Sequence, residues 1–439
     1  MVKEQNMAPK LKNFINGRWV APVSGNYGES INPAQASEVV ARYPLSGEKD
    51  VADAVAAARS AYDGWRLTPA PRRAEILFRA AELLSRRKQD LGKLVTQEMG
   101  KVLPEGLGDV QEAIDMAYFM AGEGRRMGGE TVPSELPDKD AKSIRVPHGV
   151  FALITPWNFP IAIPAWKIFS ALVCGNTAVF KPSSDTPLCA LRLVEILEEA
   201  GLPAGVLNLV MGEGAAVGEQ LALHPDVAGV SFTGSCAVGE ALERSVTALH
   251  RPIAVEMGGK NAILVMGDAD LDLALEGVLW GAFGTAGQRC TAASRIVVHE
   301  AVYDTFLERL STAARRLRLG DGMKKTTDVG PLINEKGLNK VLNYIRIGQE
   351  EGAHLHAGGG RGTDGALAKG FFIEPTVFSA VKPTMRIAQE EIFGPVAAVM
   401  RCASFDEGVR IINGTRFGLS SAIYTRDANL AARAERELD

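Results

Sequence analysis

Between Gly149 and Glu256, short apolar runs alternate with helical stretches, and this rhythm restricts the fold more than any other feature of the chain. The runs at 150–154, 177–180, 206–210, 227–232 and 253–255 are built mostly from Val, Leu, Ile, Phe and Ala. A sheet with one wet face would alternate polar and apolar residues. Strands that are apolar on both sides, joined by helical crossovers, predict a parallel sheet covered on both faces. Thr186 before Pro187 reads as a helix start, because proline at the first helical position lacks an N–H that would have no partner there anyway. Gly201 reads as its stop.

The segments on either side extend this plan. Residues 51–65 and 72–99 repeat apolar side chains at three- and four-residue spacing, so the first third reads as mainly helical. Pro71 and Gly100 punctuate the second of these helices, and a third, about 109–126, runs into Gly128-Gly129. The polar, proline-bearing stretch 130–147 has the character of an extended arm or hairpin. A second α/β unit begins near Asn261-Ala262-Ile263-Leu264-Val265, and its long helix, 271–286, is expected to lead directly to Cys290. Residues 352–370 are glycine-rich, suiting a loop or hairpin. A chain of 439 residues has room for two or three such domains.

Bulk properties exclude several classes of partner. With 48 basic and 52 acidic side chains the formal charge is −4, and no long basic run stands out, which argues against nucleic acid or an anionic membrane. The stretch 149–175 carries one charge, Lys167, but Pro156, Pro160 and Pro164 would break a spanning helix. The stretch from Met1 to Lys12 shows no apolar leader core, and five cysteines without a CxxC pair suit a reducing, cytoplasmic setting. His354 and His356 would share a strand face, yet no Cys or carboxylate set completes a metal site, so no metal is expected.

Two glycine turns point to a nucleotide. Gly212-Glu213-Gly214-Ala215-Ala216-Val217-Gly218 follows a strand and opens a helix, although its third glycine falls one place later than in the GxGxxG pattern. Phe232-Thr233-Gly234-Ser235 is a second strand-to-helix turn whose amides could hold a pyrophosphate. Lys181-Pro182-Ser183-Ser184 ends another strand on the same sheet edge, where ligands of parallel sheets sit. Plain βα turns and a solvated loop lysine are the alternatives to this reading.

Cys290, in Gly287-Gln288-Arg289-Cys290, is the candidate nucleophile, and Glu256, 34 positions upstream in Glu256-Met257-Gly258-Gly259-Lys260, is a candidate base. Attack on a carbonyl needs a thiolate, donors for the oxyanion and, where water completes the reaction, a base. Asn158, in Thr155-Pro156-Trp157-Asn158-Phe159-Pro160, offers a donor in an apolar loop.

These motifs, with Ile15-Asn16-Gly17-Arg18-Trp19 and Glu390-Glu391-Ile392-Phe393-Gly394-Pro395, occur in an order and spacing that resemble the NAD(P)-dependent aldehyde dehydrogenase superfamily. The resemblance implies a Rossmann-like cofactor domain (1–126 and 148–256), an α/β catalytic domain (257–439) and a small oligomerisation arm (127–147). It implies oxidation of an aldehyde to the acid, with NADP or NAD reduced. Cys290 would form a thiohemiacetal and then a thioester, Asn158 would hold the oxyanion, Glu256 would activate water, and Lys167 would stand nearby. Ile154, Trp157, Lys181, Ser184, Gly214, Gly234, Ser235, Glu391 and Phe393 match cofactor positions. Phe159, Ile163 and Trp166 match an apolar substrate tunnel. Arg289 and the arm 133–137 are similar to those of members handling semialdehydes with a distal carboxylate.

Ser184 stands where many strictly NAD-using relatives carry a glutamate, which predicts NADP use or dual specificity, with Asp185 partly restoring the bias against phosphate. Relatives continue several dozen residues beyond the match to Phe417-Gly418-Leu419-Ser420-Ser421, so the resemblance implies a missing C-terminal segment. It leaves the expected homodimer or homotetramer without a pairing strand. The alternative function is then a catalytically impaired homologue acting as a binding or structural protein. A papain-like hydrolase would need a histidine motif that is not present, and a coenzyme A-acylating variant is disfavoured by Glu256.

Overall fold

The computed structural model describes residues 8–439, so the leader reading of Met1 to Lys12 falls mostly outside the described residues. The chain forms two compact units, one of Met1–Ile31, Glu38–Met99 and Pro104–Glu256, the other of Asn32–Ser37, Gly100–Leu103 and Met257–Asp439. The two short excursions lie within the stretch read as cofactor domain but cluster with the second unit. There the Ala36 amide donates to the Lys369 carbonyl (2.8 Å) and the Leu103 amide to that of Gly322 (3.0 Å).

The first unit is built on a seven-stranded sheet. Its five parallel strands lie in the order Ile253–Glu256, Val227–Thr233, Val150–Ile154, Thr177–Lys181, Leu207–Leu209. Their side chains alternate between two cores. Val150, Ala152, Ile154 and Val179 pack with Val51, Ala54, Val55 and Ala58 of the helix Glu48–Leu67. Leu153, Ala178 and Phe180 point the other way, toward Leu77, Ala80, Phe169 and Leu193. Burying a Val, Leu or Phe fully contributes about 1.5–3 kcal/mol each, which is why strands apolar on both sides fold only as a central layer.

The first third is less helical than its composition implies. An antiparallel hairpin, Asn13–Ile15 with Arg18–Val20, extends the sheet through the Phe14–Leu209 pairing, and Tyr27–Ile31 pairs with Val39–Pro44. The hairpin has a local signal: Asn16 (φ 51°) and Gly17 (φ 72°) form the Asn-Gly two-residue turn that such hairpins favour. The arm is a short hairpin, Thr131–Val132 with Ala141–Lys142.

The second unit carries a six-stranded sheet ordered His354–Ala357, Thr376–Ser379, Val396–Cys402, Ala293–His299, Asn261–Val265, Ser421–Tyr424, parallel except for its first pair. The helix leading toward Cys290 is shorter than expected. It ends at Phe283, because Thr285 and Ala286 turn into the left-handed region (φ 54° and 53°). Helical propensity continues through these residues, but tertiary packing overrides it. Among the described residues no helix is long and apolar enough to cross a membrane.

Candidate active site

In the first unit, chemistry-bearing residues collect at the carboxyl ends of the parallel strands. Ile154 closes one strand and Lys181 its neighbour, both buried. Burial pulls the Lys181 ammonium down to about 8, against the pull of Asp185 and Glu213, which favour the charged form. Gly234 and Ser235 follow the strand Val227–Thr233, and Ser235 caps the helix Cys236–Thr247 without spending its hydroxyl on the first-turn amides. Gly214 opens the turn Gly214–Gly218 with no heavy atom within 4 Å of where a Cβ would sit. An uncovered turn, a helix start with its cap hydroxyl unspent and a strand-end lysine fit a dinucleotide.

Asn158 is buried and Trp157 and Phe159 are half-buried in the loop after Val150–Ile154. The next helix, Ala162–Val173, carries Ile163, buried at 2% exposure, and Trp166, exposed. Lys167 donates from Nζ to Ser231 Oγ at 2.9 Å. Burial lowers its pKa to about 8, while the nearby Glu256 carboxylate acts to raise it. Glu256 ends the edge strand Ile253–Glu256, exposed, and its carbonyl accepts the Gly234 amide at 3.1 Å.

Two supports here were not foreseen. Asp109 Oδ1, buried on the helix Leu103–Glu123, accepts the amides of Ile161 (3.3 Å) and Ala162 (2.7 Å), tying down the segment just after Asn158. Asp109→Ala should lower stability by about 1–3 kcal/mol, because two buried amides lose their acceptor. A urea midpoint shift with unchanged slope would show it, and an unchanged midpoint would contradict the role. Glu98 does the same for the helix Pro187–Glu199, accepting the amides of Leu188 (2.9 Å) and Cys189 (2.8 Å) and the Ser30 hydroxyl (3.0 Å).

In the second unit, Cys290 is half-buried in the loop before Ala293–His299. Asn261 Nδ2 donates to the carbonyls of Cys290 (2.6 Å) and Ala292 (3.1 Å), fixing the main chain on which the thiol is mounted. Gly259 permits that approach, since a Cβ there would lie 2.8 Å from the Cys290 carbonyl oxygen. An asparagine opening a strand after Gly258-Gly259-Lys260 was the available signal for this clamp, and sequence reasoning passed over it. Arg289 stacks on the Trp280 ring (3.8 Å to its centroid) and donates to the carbonyls of Trp280 (2.6 Å) and Gly281 (3.0 Å). Its guanidinium thus binds the end of the helix Leu271–Phe283 to the nucleophile loop.

Glu391 accepts the Gly259 amide at 3.2 Å. Burial raises its pKa, opposed by that amide and by Lys340 and Lys260. Phe393 follows with positive φ (61°). Gly287 admits no substitute: its φ is +69°, and a Cβ would stand 2.2 Å from the Gly394 carbonyl oxygen. Gly287→Ala should therefore cost about 3 kcal/mol or more from strain and overlap combined, read as a lowered urea midpoint with loss of activity. Wild-type stability in this variant would refute the close approach.

Residues 19–439 match the Aldehyde dehydrogenase family. The chain is 45% identical to the α-ketoglutarate semialdehyde dehydrogenase of Haloferax volcanii, over 99% of this chain and 89% of that protein. It is 43% identical to malonate-semialdehyde dehydrogenase 3 of Geobacillus kaustophilus, over 98% and 88%. Among solved structures it resembles betaine aldehyde dehydrogenase of Staphylococcus aureus in complex with NAD+, with a TM-score of 0.96 and 35% identity, covering 98% of this chain and 85% of that one.

Proposed function

Because the chain belongs to the aldehyde dehydrogenase family and oxidises an aldehyde to its carboxylic acid with NAD or NADP, we propose that its substrate is a semialdehyde bearing a distal carboxylate, oxidised through a covalent adduct of Cys290. The observation that carries the substrate class is the 45% identity to a semialdehyde dehydrogenase over 99% of the chain.

In this reading the Cys290 thiolate adds to the aldehyde carbon, forming a C–S bond, and the carbonyl electron pair moves onto oxygen. The Asn158 amide and the Cys290 main-chain N–H donate to that oxyanion. NAD or NADP, when bound, would supply the acceptor for the hydride lost from the adduct, and the oxidised group left on Cys290 is a thioester. Glu256 takes a proton from water, the hydroxide attacks the thioester, the C–S bond breaks, and the acid departs with the thiolate restored. Lys167, held by Ser231, supplies positive charge near Glu256. Lys181, Ser184, Gly214, Gly234, Ser235, Ile154 and Trp157 would hold the dinucleotide, and Glu391 and Phe393 match further cofactor positions. Phe159, Ile163 and Trp166 give the substrate path its apolar wall.

The test is a panel of aldehydes: carboxylated semialdehydes, uncharged aldehydes of matching length, and a trimethylammonium aldehyde. A kcat/KM at least about tenfold higher for a carboxylated member, some 1.4 kcal/mol of discrimination, supports the reading. Equal or greater efficiency with the uncharged or cationic members refutes it.

Two further assignments belong to the same proposal. Val132, Leu136, Ile144 and Val146 of the arm are more than half exposed, which supports its use as an oligomer contact. A reaction that runs through a thiolate and five free cysteines suits the reducing cytoplasm.

A further inference from the structure

We propose that Glu213 makes this chain favour NAD over NADP, by placing a carboxylate beside the position of the ribose 2′-phosphate. The inference rests on the reading of Lys181 and Ser184 as residues of the cofactor's ribose site. The uncharged Ser184 by itself predicts tolerance of NADP, but its surroundings argue otherwise.

The Ser184 hydroxyl donates to the Gly212 carbonyl at 3.0 Å. Its proton is therefore committed to the main chain and is not offered to a phosphate. The same bond draws the loop of Ser183, Ser184 and Asp185 against the backbone just before Glu213. Glu213 itself is exposed at the entrance to the turn Gly214–Gly218.

Two buried groups on different strands register the resulting charge. Lys181, ending Thr177–Lys181, and Tyr43, on Val39–Pro44, each feel the negative charges of Asp185 and Glu213. Asp185 is engaged with the Ser183 hydroxyl at 3.3 Å. One lysine thus faces two carboxylates. A ribose hydroxyl can donate to a carboxylate, whereas a 2′-phosphate brings further negative charge and no donor. Glu213 in this way supplies from the neighbouring turn the charge that position 184 lacks.

The test is calorimetric titration of NAD+ and NADP+ against the wild-type chain and the variants Glu213→Gln, Asp185→Asn and Lys181→Ala. The wild type should bind NAD+ more tightly. Glu213→Gln should lower the ratio of the NADP+ to the NAD+ dissociation constant about tenfold, or 1.4 kcal/mol. The wild-type bias should also shrink as salt screens the exposed carboxylate. Tighter wild-type binding of NADP+ overturns the inference. So does an unchanged ratio in Glu213→Gln while Lys181→Ala weakens both dinucleotides, a result that leaves the cofactor site standing. If Lys181→Ala alters neither affinity, the cofactor-site reading falls and the inference falls with it.

Discussion

Cys290→Ala should reduce aldehyde-dependent formation of NADH or NADPH by about 10⁴-fold or more, because the proposed mechanism forms on Cys290 the adduct from which hydride leaves. The substitution removes one sulfur from a half-buried side chain. It leaves the main-chain carbonyl that Asn261 grips at 2.6 Å, so the loop should keep its shape. Urea unfolding and dinucleotide affinity are therefore expected to stay near wild-type values while turnover disappears. Retained turnover would remove the covalent mechanism. A variant that lost activity only because it unfolded would be exposed by the same unfolding curve.

Glu256→Gln should separate the two halves of the reaction. The amide is nearly isosteric with the carboxylate and sits exposed at the end of an edge strand, so local packing is spared. In the proposed mechanism hydride transfer does not need the base, but hydrolysis of the thioester does. Mixing enzyme, aldehyde and dinucleotide should give a burst of reduced cofactor of about one equivalent per site. A steady state slowed by about 10²- to 10⁴-fold should follow, the usual range for loss of a general base. The nearby Lys167 ammonium loses its anionic partner in this variant, so its pKa should fall further below about 8. A full steady-state rate in Glu256→Gln would show that water is activated elsewhere.

The candidate motifs stood out in the sequence because they are local. Cys290, Glu256 and Asn158 each sit in a short segment whose glycines and prolines announce a turn, and the parallel strands announced themselves by lacking a polar face. The rest depends on contacts distant in sequence. Asp109 caps a helix 53 positions downstream, and nothing near Asp109 marks it as a cap. Asn261 holds a carbonyl 29 positions away, and the Ser184 hydroxyl donates to the carbonyl of Gly212, 28 positions on. Arg289 lies beside the nucleophile in sequence, yet it turns back to the helix end at Trp280. The break at Thr285 and Ala286 was hidden for a different reason: both residues accept helical geometry, and left-handed backbone in non-glycine residues costs energy that only surrounding packing repays.

The central claim is that the reaction passes through an acyl group on Cys290, and direct trapping tests it most closely. Glu256→Gln is mixed with aldehyde and dinucleotide, quenched in acid during the burst, digested and analysed by mass spectrometry. The expected result is an acyl adduct on the peptide containing Cys290, adding the substrate's mass less the hydride and proton lost on oxidation, in amounts matching the burst, and absent without dinucleotide. An acyl group on any other residue, or a burst of reduced cofactor with Cys290 unmodified, would contradict the account.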